Sequence, residues 1–344
     1  MKTLPEIVLW LKQPDHIRII LVEVEDILNG GSAPIYLSNK AFTSTATDTP
    51  ANTYYEACIN GGISFSESLD LSGAASLGLG EIELENTNGL RDSWLEYIWV
   101  NKRITIRLGD PRWTREDFYM IFDGIVSDIS SRSSDTLNII LLDRLERLNR
   151  PISEDILGGT GNNSDRQKPL LFGECFNVDP LLTDSVPNVL EYMIHNGPIE
   201  DIIEVRDSGL PVDVTKHLAT GTFNLLRSPY GQITASIQGS KPTTYSDKIA
   251  DIISNIVTNY GPTNTRLTAG DIHTTNFSTF NIANPQPVGV YCKERENILD
   301  VCQRLASSVG ASVVFDSLGK LKLVKLDMAG SGTTHTVNRE DVLL

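Results

Sequence analysis

The sequence predicts a mainly β fold with an α+β C-terminal part. Three observations carry that expectation. Residues 15–150 hold runs in which apolar and polar side chains alternate with the period of two that marks a half-buried strand. Residues 170–239 hold short apolar runs closed by Gly, Pro, Asn or Asp. Beyond residue 245 the apolar period becomes that of a helix, twice, before a closing hairpin pattern.

Residues 1–14 form an N-terminal segment with a short apolar stretch that ends at Pro14. In 15–150, "HIRIILVEVED" is rich in β-branched residues and long enough for one strand. "NGGSAPIYLSNKAF" reads as a turn and a second short strand, and 40–62 as a Thr-, Asn- and Gly-rich loop. "GISFSESLDLSG" alternates, with Ile63 and Phe65 and then, after a slip, Leu69 and Leu71 on one face. In "GEIELEN", Ile82 and Leu84 point one way and Glu81, Glu83 and Glu85 the other. "RITIRLGD" repeats this, with Ile104, Ile106 and Leu108 opposite Arg103, Thr105 and Arg107. "FYMIFDGIVSDISS" and "TLNIILLDRLERL" continue the strands, so 15–150 is expected to be an antiparallel β-barrel or sandwich. The Gly- and Asn-rich 151–169 reads as a linker or loop, and 170–244 as a second β domain.

In 245–344, Ile249, Ile252, Ile253, Ile256 and Val257 have the i, i+3, i+4, i+7, i+8 spacing of an amphipathic helix. Ser246 stands at its N-cap and Gly261-Pro262 ends it. Ile298, Val301, Cys302, Leu305 and Val309 repeat the geometry up to Gly310. A hairpin follows, turning at Asp316 to Gly319, with Lys320 and Lys322 facing away from Leu321 and Leu323. No repeat with a period of 20–50 residues is visible.

The 344 residues are 40% hydrophobic and 21% charged, with a formal net charge of −15. That balance argues for a globular chain, and against one that grips nucleic-acid phosphates or docks on an anionic membrane. No secretory signal and no apolar run near the length of a membrane span is expected. Four cysteines, Cys58, Cys175, Cys292 and Cys302, are too few for a disulfide scaffold and fit a reducing cytoplasm.

Several groups invite a chemical reading. Cys175 and His195 share a Gly- and Pro-marked stretch and could be a thiol nucleophile and its base. Cys175 sits among bulky apolar residues in "FGECF", and His195 leads into the turn Asn196-Gly197-Pro198, so structural roles are expected for both. A metal or iron–sulfur site would want close cysteine pairs; Cys292 and Cys302 are the nearest, and Cys302 lies on an apolar helix face. "GAASLGLGEIE" and "GGTGNNSD" lack the helix or the Lys-Ser/Thr that would make them phosphate loops. "NNS" at 162–164 and "NFS" at 276–278 match the glycosylation triplet, which is empty without a signal peptide. Glu81, Glu83 and Glu85 stand ~6.5–7 Å apart along one strand face. They could be a solvated face, an acid/base pair, or, repeated by symmetry around a ring, the wall of a negative channel. No catalytic residue, metal ligand or cofactor is expected.

The punctuation around Cys175 and His195 carries a resemblance. "KPLLFGECFNVDPLL" and "YMIHNGPIEDIIEVRDSGLPV" resemble the pattern K-P-x-x-F-G-x-x-x-N-V-x-P, then H-x-G-P-I and V-x-D-x-G, of tail-tip and baseplate hub proteins of long-tailed bacteriophages. Lys168, Pro169, Phe172, Gly173, Asn177, Val178, Pro180, His195, Gly197, Pro198, Ile199, Val205, Asp207 and Gly209 fit it. "IELENTNGLRDSW", "RITIRLGD" and "FYMIFDGIVSDI" resemble the tail-tube-like domain of those proteins, through the turn at 86–89, Trp94, Gly109-Asp110 and Phe122-Asp123-Gly124. "ENILDVCQRLASSVGASVVFDSLGKLKLVKL" resembles their helix-plus-hairpin module, so the likeness covers most of 15–327.

The resemblance implies a structural virion protein at the tail tip, made in the host cytoplasm, with tail-tube-like β domains. It implies a homo-oligomeric ring, a trimer, that continues the tail tube and guides DNA ejection. Its partners would be the tail tube or distal tail protein, the tape-measure protein and tip or fibre proteins; DNA would pass without specific binding, and there would be no membrane anchor. Glu81, Glu83 and Glu85 would then line the channel. Some relatives carry an iron–sulfur cluster, but the matching close-set cysteines are not present here and the cluster is not carried over. The rival readings are a tail-associated cell-wall hydrolase and a carbohydrate-binding module. Surface Trp and Tyr clusters would favour the latter, whereas Trp10, Trp94, Trp99 and Trp113 stand mostly in apolar strand contexts, which favours a core role.

Overall fold

The computed structural model describes residues 2–25, 34–61, 63–66, 79–133, 135–183, 190–316 and 318–325. Leu69, Leu71 and most of the glycine-rich stretch that begins at Gly73 lie outside them. The N-terminal segment contains a helix, α1 (Leu4–Leu11), where only an apolar stretch was expected. The Glu6 carboxylate accepts the Thr3 N–H at 2.7 Å, satisfying a donor at the helix start. Ile7 and Trp10 are buried, and the Trp10 indole donates to Asp110 Oδ2 at 3.1 Å.

Nine strands follow: β1 (Ile19–Val24), β2 (Ile35–Ser38), β3 (Phe42–Thr43), β4 (Tyr54–Ala57), β5 (Ser64–Ser66), β6 (Leu79–Glu85), β7 (Arg103–Gly109), β8 (Tyr119–Ser133) and β9 (Thr136–Leu142). They make one sheet in the order β3-β4-β2-β1-β7-β8-β9-β6-β5. β2 and β4 pair in parallel, and the other neighbours antiparallel. The expected barrel is corrected to an open sheet with two ends. It curls until the residues after β4 reach β6: Asn60 N–H donates to Glu83 O at 2.9 Å and Glu85 N–H to Cys58 O at 2.8 Å. Arg91, paired with Glu56, ties the same seam. The curl encloses Val22, Leu37, Ile82, Leu84, Ile104, Ile106, Ile139 and Trp99, all buried.

The curl also corrects the reading of 40–62 as a loop, since β3 and β4 lie within it. Polar composition hid them, and a parallel partner distant in sequence leaves no local signature.

The stretch 151–169 is tied down by backbone bonds, such as Leu157 N–H to Arg166 O at 2.9 Å. Then come β10 (Leu170–Val178), β11 (Leu181–Leu182), β12 (Glu191–Met193), β13 (Ile199–Asp207), β14 (Leu210–Pro211), β15 (Val214–His217), β16 (Thr222–Leu225) and β17 (Ile233–Ser240). β11, β12, β15 and β16 form a four-stranded sheet. β10, β13, β14 and β17 form a second one, joined by β18 (Gly289–Cys292) next to β10. Ile202, Val205 and Ile237 of one sheet and Tyr192 and Phe223 of the other share a core, so this part is a sandwich. Between β13 and β14, Ser208 (φ 51°) and Gly209 (φ 85°) both take the left-handed conformation that a type I′ hairpin requires.

The remaining elements are α2 (Ile249–Asn259), α3 (Thr274–Ala283), α4 (Ile298–Ser307), β19 (Ala311–Phe315) and β20 (Leu321–Lys325). All five apolar positions expected on α2 are buried, as are Ile298, Val301, Cys302 and Leu305 of α4. Each such burial contributes roughly 1.5–3 kcal/mol before the entropy of ordering. The N-cap of α2 is Lys248; Ser246 instead bonds to the Lys248 N–H and to Asp251 Oδ2. The helical core takes in Leu145, Leu148, Leu170 and Phe172, so it draws on residues far upstream of 245.

Candidate functional site

Ile82 and Leu84 are fully buried, while Glu83 and Glu85 are exposed and Glu81 is half-buried. Across the sheet, Glu81, Glu83 and Glu85 stand opposite Ile140, Asn138 and Thr136 of β9. The Asn138 amide donates to the Glu81 carboxylate, and Thr87 Oγ1 donates to Glu85 at 2.7 Å. On β8 the face continues through exposed Asp128, opposite Ile140. The carboxylates therefore share one outward face of the curled sheet, an arrangement that repels anions.

Cys175 and His195 are not brought into a dyad. His195 Nδ1 accepts the Leu171 N–H at 3.0 Å, so the proton of the neutral ring sits on Nε2, which faces the Tyr260 hydroxyl at 3.4 Å. Phe172 packs edge-on against both rings. The Tyr260 hydroxyl continues to Ser240 at 3.2 Å, so His195 pins the β sandwich to the end of α2. The Cys175 thiol donates to Phe172 O over a long 4.0 Å, and burial pushes that thiol up to about 12. A thiol held protonated, without a base, is a poor nucleophile.

Burial drives His195 down to about 4 from 6.5. Its folded value lies below its unfolded value, so the stability it permits is present above about pH 6.5 and lost as pH falls through about 4. The loss amounts to about 3 kcal/mol at 1.36 kcal/mol per unit. We expect His195→Asn to unfold with a shallower pH dependence than the wild type across that window. Denaturant titrations at stepped pH measure this, and identical slopes would contradict it.

The other thiols lie in apolar cores too: burial raises Cys58 to about 11 and Cys292 to about 12, and raises Cys302 as well. Among the described residues, no group of three or more His, Cys, Asp or Glu side chains is placed to hold a metal ion. The expected strand contexts of the tryptophans are corrected: Trp10 and Trp99 are buried and Trp94 and Trp113 half-buried, but Trp10 lies in α1 and the other three on connections between strands. No helix among the described residues is long and apolar enough to cross a membrane.

The motif residues shape the backbone. Phe172 fills the core, Asn177 takes φ 52°, and the Asp207 carboxylate accepts the Tyr230 and Gly231 N–H groups at 2.8 and 2.9 Å.

Sequence reasoning missed a row of arginines. Residues 144–148 form a 3₁₀ helix, whose side chains eclipse every three residues. Arg144, Arg147 and, just beyond it, Arg150 line a cavity of about 440 Å³ together with Arg103, Glu25, Asn101, Ile125, Asn264 and Thr265. The spacing of three in "DRLERLNR" was the available signal.

No family model and no curated protein sequence matches the chain. Among solved structures it is similar to a chain of the virion of a native gene transfer agent particle, at 9% identity and a TM-score of 0.32, over 68% of this chain and 84% of that one. It is also similar to the 43 kDa tail protein of prophage MuSo2 from Shewanella oneidensis, at 11% identity and a TM-score of 0.35, over 89% of this chain and 53% of that one.

Proposed function

We propose that this chain is a structural subunit of a phage-type tail, one that assembles into a closed ring at the tail tip or baseplate hub. The observation that carries the reading is the exposure of large apolar side chains on the connection between β6 and β7. Leu90, Leu95, Ile98 and Val100 are 73, 44, 47 and 54% exposed. Four such residues within eleven positions make a surface that a neighbouring subunit would cover. The order of the sequence motifs adds support, because residues that looked reactive prove to shape strands and turns.

In this reading the ring is a trimer, and ring closure covers strand edges that a lone subunit leaves open. Glu81, Glu83 and Glu85 line the lumen, where carboxylates keep DNA phosphates from sticking during ejection. The tail tube or distal tail protein sits above, the tape-measure protein within, and tip or fibre proteins below. The subunit is made in the host cytoplasm and resides in the virion, acting as a scaffold and not as an enzyme; the protonated Cys175 gives a cell-wall hydrolase no nucleophile.

Light scattering on the purified protein, with imaging of whole particles, tests this. We expect three chains per particle in solution and density at the tail tip. A dispersed monomer that is absent from particles overturns it, and an outward orientation of Glu83 in an assembled ring overturns the lumen assignment alone.

A further inference from the structure

We propose that the recess lined by Arg103, Arg144, Arg147 and Arg150 is a binding site for a dianionic phosphoryl group, gripped by Arg147 and Arg150. Two of the four guanidinium groups are already committed. Arg103 forks onto Asp123 at 2.9 and 2.7 Å. Arg144 donates to Asp271 and to Gly319 O, both at 2.8 Å. The other two are not. Among the described residues the Arg147 guanidinium has no hydrogen bond or ion pair, and the Arg150 guanidinium has only a 3.5 Å contact with the carbonyl of Asn149. Both are half-buried, and among the described residues Glu25 is the one carboxylate lining the cavity, 3.7 Å from Arg103.

Holding guanidinium groups side by side, partly out of water and without a bonded carboxylate of their own, is unfavourable unless an anion joins them. Arg147 feels this cost: burial and the charge of Arg144, with Arg103 adding to them, lower its affinity for its proton, and the charges of Asp271 and Glu25 offset this only in part. The planar fork of a guanidinium matches phosphate oxygens in pairs. Two unpaired forks call for two negative charges, which a phosphate or phosphomonoester carries near pH 7 and a single carboxylate does not. Asn101 and Asn264 add polar groups to the lining, whereas the Thr265 hydroxyl already donates to Pro262 O at 2.9 Å. A cavity of about 440 Å³ admits a phosphoryl group together with an organic remainder. The phosphoryl group could come from free phosphate or from a monoester, and the measurement below separates the two.

The site is independent of the ring reading. Calorimetric titration of the full chain at pH 7.5 and low salt, with inorganic phosphate and separately with adenosine monophosphate, tests it. We expect saturable one-to-one binding. Tighter binding of the nucleotide marks a monoester site, and equal affinities mark free phosphate as sufficient. R147Q/R150Q is expected to weaken binding at least tenfold. Glu25→Gln, at an exposed position, is expected to tighten it several-fold, and it keeps the proposal testable should the double variant not fold. Absence of saturable binding by both probes overturns the site, as does unchanged affinity in R147Q/R150Q or in Glu25→Gln.

Discussion

Gly173→Ala is expected to cost about 3–5 kcal/mol of stability, a severe loss for one methyl group. Gly173 lies in β10 at φ 66°, opposite Gly289 of β18. A Cβ there would stand 2.0 Å from the carbonyl oxygen of Val288 and 2.8 Å from Ile252 Cδ1 of α2. The left-handed conformation alone costs a side chain about 1–2 kcal/mol. The overlap with a backbone oxygen adds the rest, because relieving it means separating β10 from β18. Gly158→Ala is the control: its φ is 71°, with nothing within 4 Å of the added Cβ, so it should lose only the conformational part. Urea unfolding of both variants decides the matter. Equal losses would show that the close approach to β18 has no energetic consequence.

Arg144→Met is expected to cost about 3 kcal/mol. The guanidinium is buried and holds together parts of the chain far apart in sequence: Asp271, the turn at Gly319 and, by its position over the ring at 5.5 Å, Phe315. A methionine fills the volume but leaves the carbonyl of Gly319 and the carboxylate of Asp271 without this donor. Burial works to raise the Asp271 carboxyl, but bonds from Thr268 and Arg144 prevail and hold it at about 2. Its folded value lies below its unfolded value, so this stability is present above about pH 4 and lost as pH falls through about 2. A double-mutant cycle with Asp271→Asn should give a coupling of more than ~1 kcal/mol. Additive losses would mean that Arg144 acts through packing alone.

Much of the fold is legible where one face of an element is apolar throughout. α2 and α4 were readable because their apolar residues recur at helical spacing, and β6 because isoleucine and leucine alternate with glutamate. α3 was not. "TTNFSTFNIA" buries only Phe277 and Phe280, and its start depends on His273 Nδ1 accepting the Asn276 N–H. Asn276 then bonds both backbone groups of Leu323 on β20, a partner 47 positions away. Nothing local announces such a helix. α1, by contrast, had a readable start in Thr3 and Glu6.

The candidate sites divide the same way. That Glu81, Glu83 and Glu85 share a face follows from the pleat of a strand, and the sequence determines it alone. So do the burial of Ile82 and Leu84 and the hairpin at Asp316 to Gly319. Tertiary structure decided that Cys175 faces no base, that His195 is held by Leu171 N–H and Tyr260, and that Arg103 joins the row from 144 to 150. The physical reason is range. Periodicity is imposed by the chain's own geometry over a few residues, whereas burial, desolvation and charge pairing depend on atoms that only folding brings within a few ångströms.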